Sequence, residues 1–73
     1  MNEQQINNTF TYHKPVGTQT ERYESIRSAA RALAVLLNAA CPESREKALA
    51  LTNLQQSIMW ANASIAINEK EPA

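Results

Sequence analysis

Between Ile26 and Ala40 the apolar residues Ile26, Ala29, Ala30, Leu33, Leu36, Leu37 and Ala40 recur at helical spacing. Spacings of three and four place them in one stripe along an α-helix. Thr18, followed three positions later by Glu21, has the form of a capping box. Its hydroxyl and carboxylate would satisfy free N–H groups of a first turn, so a helix is predicted to start there. The stripe stops at Cys41-Pro42. Proline suits the first position of a new helix, and Glu43 and Glu46 favour the positive end of that helix dipole. A second helix is therefore predicted from about Pro42 to Asn68, with Leu51, Leu54, Ile58, Ala61 and Ile65 as a coiled-coil-like seam. The expected class is all-α, with residues 18–68 folded as an antiparallel two-helix hairpin.

Residues 1–17 read as an N-terminal arm. Met1 to Asn8 is rich in Asn and Gln with one apolar residue, Ile6, which fits a flexible arm or a short helix. Thr9 to His13 is β-prone, and Lys14-Pro15-Val16-Gly17 interrupts any regular element. Residues 69–73, charged and containing Pro72, are expected to fray. Ala32, Val35 and Ala39 on the first helix, and Leu49, Met59, Trp60, Ala63 and Ile67 on the second, fall outside the stripes that close a hairpin. Left in water they would form the kind of patch monomers avoid. Phe10, Tyr12 and Val16 are too few to cover it, so a homo-oligomer is predicted.

Length and composition agree. A 73-residue chain buries only about 60% of its unfolded surface and needs outside help for its core. Cys41 is the only cysteine and His13 the only histidine, so neither an internal disulfide nor an all-protein metal cage is available, and no cofactor is expected. Every acidic residue is Glu, which removes a Ser/His/Asp triad. Gly17 is the only glycine, which removes phosphate-cradling glycine loops. With no motif to activate His13 or Cys41, the chain does not read as an enzyme. A formal net charge of zero argues against polymeric DNA or RNA, though not against a small anion. Ala32 to Cys41 is too short to cross a bilayer, and Met1 to Asn8 lacks the basic and apolar regions of a signal peptide. A soluble cytosolic protein is expected.

Several polar groups are candidates for a ligand. Arg27 and Arg31 stand one turn apart; they form either a solvated face partly neutralised by Glu24 or a clamp for a compact anion. Arg22 shares a side of the helix with Ile26, Ala29 and Leu33, where it either snorkels past the hairpin end or lines a crevice between subunits. Tyr12, His13 and Lys14 sit together on the arm, so ring, imidazole and ammonium can close over a nucleobase and its phosphate. A strand docking on the hairpin accounts for them equally well. Trp60, beside Ile58 and Met59, reads as interface packing. Ser44-Arg45-Glu46 opens the second helix with a hydroxyl and a guanidinium near free N–H groups, a place for an anion or simply a solvated charge pair. Asn62, between Ala61 and Ala63, either fixes helix register or reads polar groups of a ligand.

Ser44-Arg45-Glu46, Ala48-Leu49-Ala50-Leu51-Thr52, Leu54, Met59-Trp60-Ala61-Asn62-Ala63 and Ile65-Ala66 resemble the helical hairpin of phage-encoded anti-CBASS sponge proteins, a hairpin shared with anti-Thoeris sponges. Arg22-Tyr23 with Ile26-Arg27, and Tyr12-His13 with Pro15, extend the resemblance to roughly residues 10–68. Lys14 and Asn53 depart from the proline and lysine expected at those places, and the missing basic residue at 53 weakens any phosphate contact on the second helix. The resemblance implies a homohexamer in the host bacterial cytoplasm. It would bind cyclic oligonucleotides such as cyclic GMP-AMP, cyclic di-GMP-like or cyclic tri-AMP messengers without cleaving them, and so keep them from a defence effector. It also implies an arm aromatic and a basic residue of the first long helix around a cyclic dinucleotide, here matched in type by Tyr12 and Arg27. A second pocket, for cyclic trinucleotides, would form where subunits meet, with Arg45, Asn62, Arg22 and Arg31 as candidates. The competing reading is a small helical adaptor or anti-repressor whose second apolar stripe docks on a host protein. A helix-turn-helix would need a third helix and a basic recognition surface that the sequence lacks.

Overall fold

A computed structural model describes residues 1–69. Of the tail expected to fray, only Glu69 is included; Lys70 to Ala73 lie outside the described residues. Three helices occur among the described residues, α1 (Glu3–Thr9), α2 (Gln19–Ala40) and α3 (Arg45–Asn68), and no strand. α2 and α3 form the antiparallel hairpin, and α1 with the linker 10–18 is the arm.

The capping signals are used differently from the expectation. The capping box is at the start of α1: Asn2 Oδ1 accepts from the Gln5 N–H at 2.8 Å, and Gln5 Oε1 accepts from the Asn2 N–H at 2.8 Å. This resolves the Asn/Gln-rich start in favour of a short helix, and the β-prone Thr9 to His13 forms no strand. At α2 the predicted Thr18/Glu21 box does not form. Thr18 has φ −87° and ψ 8°, outside the extended geometry of a side-chain cap, and its hydroxyl accepts from Arg22 Nε at 3.1 Å instead. Gln19 replaces it: its N–H donates to Val16 O at 3.0 Å and its Oε1 accepts from Val16 N–H at 3.1 Å. Gly17 lies between them with φ 56°, the left-handed region that glycine enters at no steric cost.

The second long helix begins at Arg45, later than the expected Pro42. Cys41, preceding proline, is extended with ψ 136°, as the proline ring requires. Ser44 then provides the cap, accepting from the Lys47 N–H at 3.1 Å. Its hydroxyl also donates to Pro42 O at 3.1 Å, so this turn closes on itself.

Leu51, Leu54, Ile58, Ala61 and Ile65 are all partly buried, as their seam predicts. On α2 the packed stripe is Gln19, Tyr23, Ile26, Ala30, Ala34 and Leu37. The predicted stripe was therefore displaced to one side: Ile26, Ala30 and Leu37 are in it, whereas Ala29, Leu33, Leu36 and Ala40 are exposed. No hydrophobic side chain among the described residues is fully buried. The molecule measures 48 × 28 × 12 Å with a radius of gyration of 15.7 Å, against roughly 11 Å for a compact domain of this length. Ala48 to Asn68 is a longer uncharged run than Ala32 to Cys41, but Thr, Asn, Gln and Ser interrupt it. No described helix is long and apolar enough to cross a membrane.

Candidate functional site

An open cleft of about 730 Å³ lies where the arm meets the open end of the hairpin. One wall is α1, with Gln4, Gln5 and Asn8; Tyr12, His13 and Lys14 of the linker form its rim; Ile67, Asn68 and Glu69 of α3 face them. This volume is within the about 300–1,000 Å³ usual for small-molecule sites. One bond ties the arm to the hairpin and two more order it internally. Asn8 Nδ2 donates to Ile67 O at 3.0 Å, tying α1 to the end of α3. His13 Nε2 lies 2.6 Å from Asn8 O. Thr11 Oγ1 donates to Asn7 O. Tyr12 is left 83% exposed on this linker.

Below the cleft, Arg22 is committed to Glu69. Its Nη1 donates to Glu69 Oε2 at 2.6 Å and its Nη2 to Oε1, a bidentate fork, while Gln19 Nε2 donates to Oε1 at 3.2 Å. These bonds, the Arg22 pair first and Gln19 second, hold the Glu69 carboxyl at about 2. The same pair raises the Arg22 guanidinium above its ordinary value. The clasp joins the first turn of α2 to the residue that ends α3. Glu69, Gln19, Asn8 and Asn68 carry little signal in the sequence as site residues, because three of the four are neutral amides and Glu69 opens the charged tail. The Asn2/Gln5 capping spacing was the available signal that α1 is ordered.

The other predicted residues lie elsewhere on the chain. Arg27 and Arg31 are exposed on one flank of α2 and do not line the cleft. Arg45 is exposed at the turn end, about 30 Å along the hairpin from Arg22 by helical rise. Beside it Ser44 already caps α3 and Lys47 is paired with Glu43. Asn62 is partly buried on α3, and its Oδ1 is enclosed without a hydrogen-bond partner. One chain thus brings together Tyr12, His13 and Lys14, and separately Arg27 and Arg31, but it does not bring Arg45, Asn62, Arg22 and Arg31 to one place.

A family model described as Acb2/Tad1, hairpin domain, matches residues 1–66. The chain belongs to this family. Acb2/Tad1 proteins act as cyclic-nucleotide sponges, binding and not converting their ligands. The match begins at Met1 and so includes α1, which the resemblance seen in the sequence, starting near Phe10, had left out. No curated protein and no solved structure matches the chain.

Proposed function

We propose that this Acb2/Tad1 hairpin protein captures cyclic di- and trinucleotide messengers and thereby keeps a CBASS anti-phage effector from being activated. The observation that carries the proposal is the cleft beside Tyr12, His13 and Lys14. It offers an exposed ring for a base and an ammonium for a phosphate. The working unit is a homohexamer in the cytoplasm of the infected bacterium. Arg27 does not line the cleft of its own chain; it completes the dinucleotide site from a neighbouring copy. Arg45, Asn62, Arg22 and Arg31 are the candidates for a trinucleotide pocket where several copies meet, with Arg22 available only when Glu69 gives way. Sequestration works when Kd lies well below the messenger concentration, and about 12 kcal/mol of binding energy corresponds to nanomolar Kd. Arginine-held phosphates and stacked bases in a preformed pocket reach that range.

The test incubates the purified protein with a panel of cyclic di- and trinucleotides, removes free ligand, and heats the complex to recover what was bound. Intact cyclic nucleotide is expected. Recovery of a linear product would make the protein a phosphodiesterase, and recovery of nothing would refute the sponge.

A further inference from the structure

We infer that the cleft selects nucleobases carrying an exocyclic amino group, whose N–H bonds are received by acceptors on Asn8, Asn68 and His13. The inference rests on the cyclic-nucleotide reading and specifies which ligands fit it. A backbone carbonyl can only accept a hydrogen bond, so whatever faces one must donate. Asn8 places its Nδ2 3.0 Å from Ile67 O, and Asn68 places its Nδ2 3.1 Å from Ser64 O. In both side chains the amide nitrogen is turned to the protein, and Oδ1 is left with no hydrogen bond among the described residues. His13 Nε2, 2.6 Å from Asn8 O, is likewise the protonated nitrogen, which leaves Nδ1 of the neutral ring as an acceptor. All three residues line the same cleft.

A wall of acceptors is poor company for phosphate oxygens and good company for a donor edge. Glu69, on the same wall, adds to the first effect, its two oxygens already taken by Arg22 and Gln19. Lys14 on the rim is the group left for the phosphate. The ligand therefore enters with its sugar-phosphate ring toward Lys14 and its base edge toward α1 and the end of α3. Adenine presents an amino group there through N6 and guanine through N2; hypoxanthine keeps the bicyclic ring and the N1–H of guanine but carries neither amino group.

The experiment is calorimetric titration of the full chain with cyclic di-AMP, cyclic di-GMP and cyclic di-IMP. It is repeated with an Asn68→Ala variant, which leaves the Asn8 tie between α1 and α3 in place and whose helicity is checked by circular dichroism. Guanine and hypoxanthine share N1–H and differ by the amino group, so for wild type, binding of cyclic di-GMP at least about fivefold tighter than cyclic di-IMP is expected, the worth of one net hydrogen bond. In the variant the ratio should fall to within about twofold, the same bond being lost. Equal binding of cyclic di-GMP and cyclic di-IMP by wild type overturns base selection while leaving the sponge reading intact. Full discrimination kept by the variant overturns the assignment to these acceptors. Binding of none of the three overturns the dinucleotide site and the inference together.

Discussion

Replacing Trp60 by Glu tests whether the exposed apolar flanks are interfaces between copies. The chain exposes 6056 Å², whereas a compact monomer of this mass exposes roughly 4,500 Å². The excess, roughly 1,500 Å² per chain, corresponds to about two standard half-interfaces of about 800 Å² each. Trp60 is 74% exposed, with Met59 and Leu49 at 62% and 47% on the same helix. A tryptophan buries about 150–250 Å², so roughly 110 to 185 Å² of this one remains to be covered. At about 25 cal/mol per Å² that is roughly 3 to 5 kcal/mol, an upper bound that ordering costs reduce. A carboxylate at this position removes the gain and adds the cost of desolvating a charge. Sedimentation velocity should show wild type near the mass of six 8.1 kDa chains at micromolar concentration, and Trp60→Glu shifted toward monomer with its helicity retained. Wild type sedimenting as a monomer would refute the assembly, and an unchanged Trp60→Glu oligomer would place its interface elsewhere.

Tyr12→Ala and Arg27→Ala are each expected to weaken cyclic dinucleotide binding at least about tenfold, the loss of a stacked base or a held phosphate, without changing the sedimenting species; unaltered calorimetric affinity in both removes them from the site. The Glu69 carboxyl, held at about 2, lies below the ordinary carboxylate value, so its stabilisation is complete above about pH 4.5 and is lost as the pH falls toward 2. Glu69→Gln should flatten that part of the curve of melting temperature against pH, and an unchanged acid limb would show the clasp contributes nothing. Ser44→Ala removes the cap of α3 and should cost about 1 kcal/mol, read as a fall in Tm of about 4–8 °C.

The hairpin was legible because helical period, a proline break and a coiled-coil spacing all agreed. Which half of the α2 stripe meets α3 was not. Leu33 and Leu36 are larger than Ala30 and Ala34 and more hydrophobic, so the sequence favours burying them; the hairpin buries the alanines. Small side chains let two helices approach closely, and the leucines are then turned to a flank that a single chain cannot cover. The displacement of the stripe is thus the same observation as the excess surface. For the site, Tyr12, His13 and Lys14 were legible as neighbours. The opposite wall was not, because Asn68 and Glu69 form a cleft with the arm only where Asn8 ties α1 to Ile67 near the end of α3. That tie is one amide in a segment whose composition resembles a flexible arm.

The zero net charge acquires a spatial meaning from the fold. Two cations are spent at the ends of the hairpin, Arg22 on Glu69 at the open end and Lys47 on Glu43 at the turn. Lys47 keeps only 8% of its side chain exposed, but its partner Glu43 is 90% exposed, so the pair remains open to screening by added salt. Lys14, Arg27, Arg31 and Arg45 have no ion-pair partner among the described residues. They are dispersed over the cleft rim, one flank of α2 and the turn, with no continuous basic strip along the 48 Å length of the molecule. A polyanion needs such a strip, because its affinity grows with the number of phosphates neutralised at once. A compact anion needs only two or three cations converging on it, and dispersed cations converge when copies of the chain pack side by side. The same packing would cover the leucines of α2 and the tryptophan of α3, so core completion and ligand capture are expected to depend on one assembly and to be lost together.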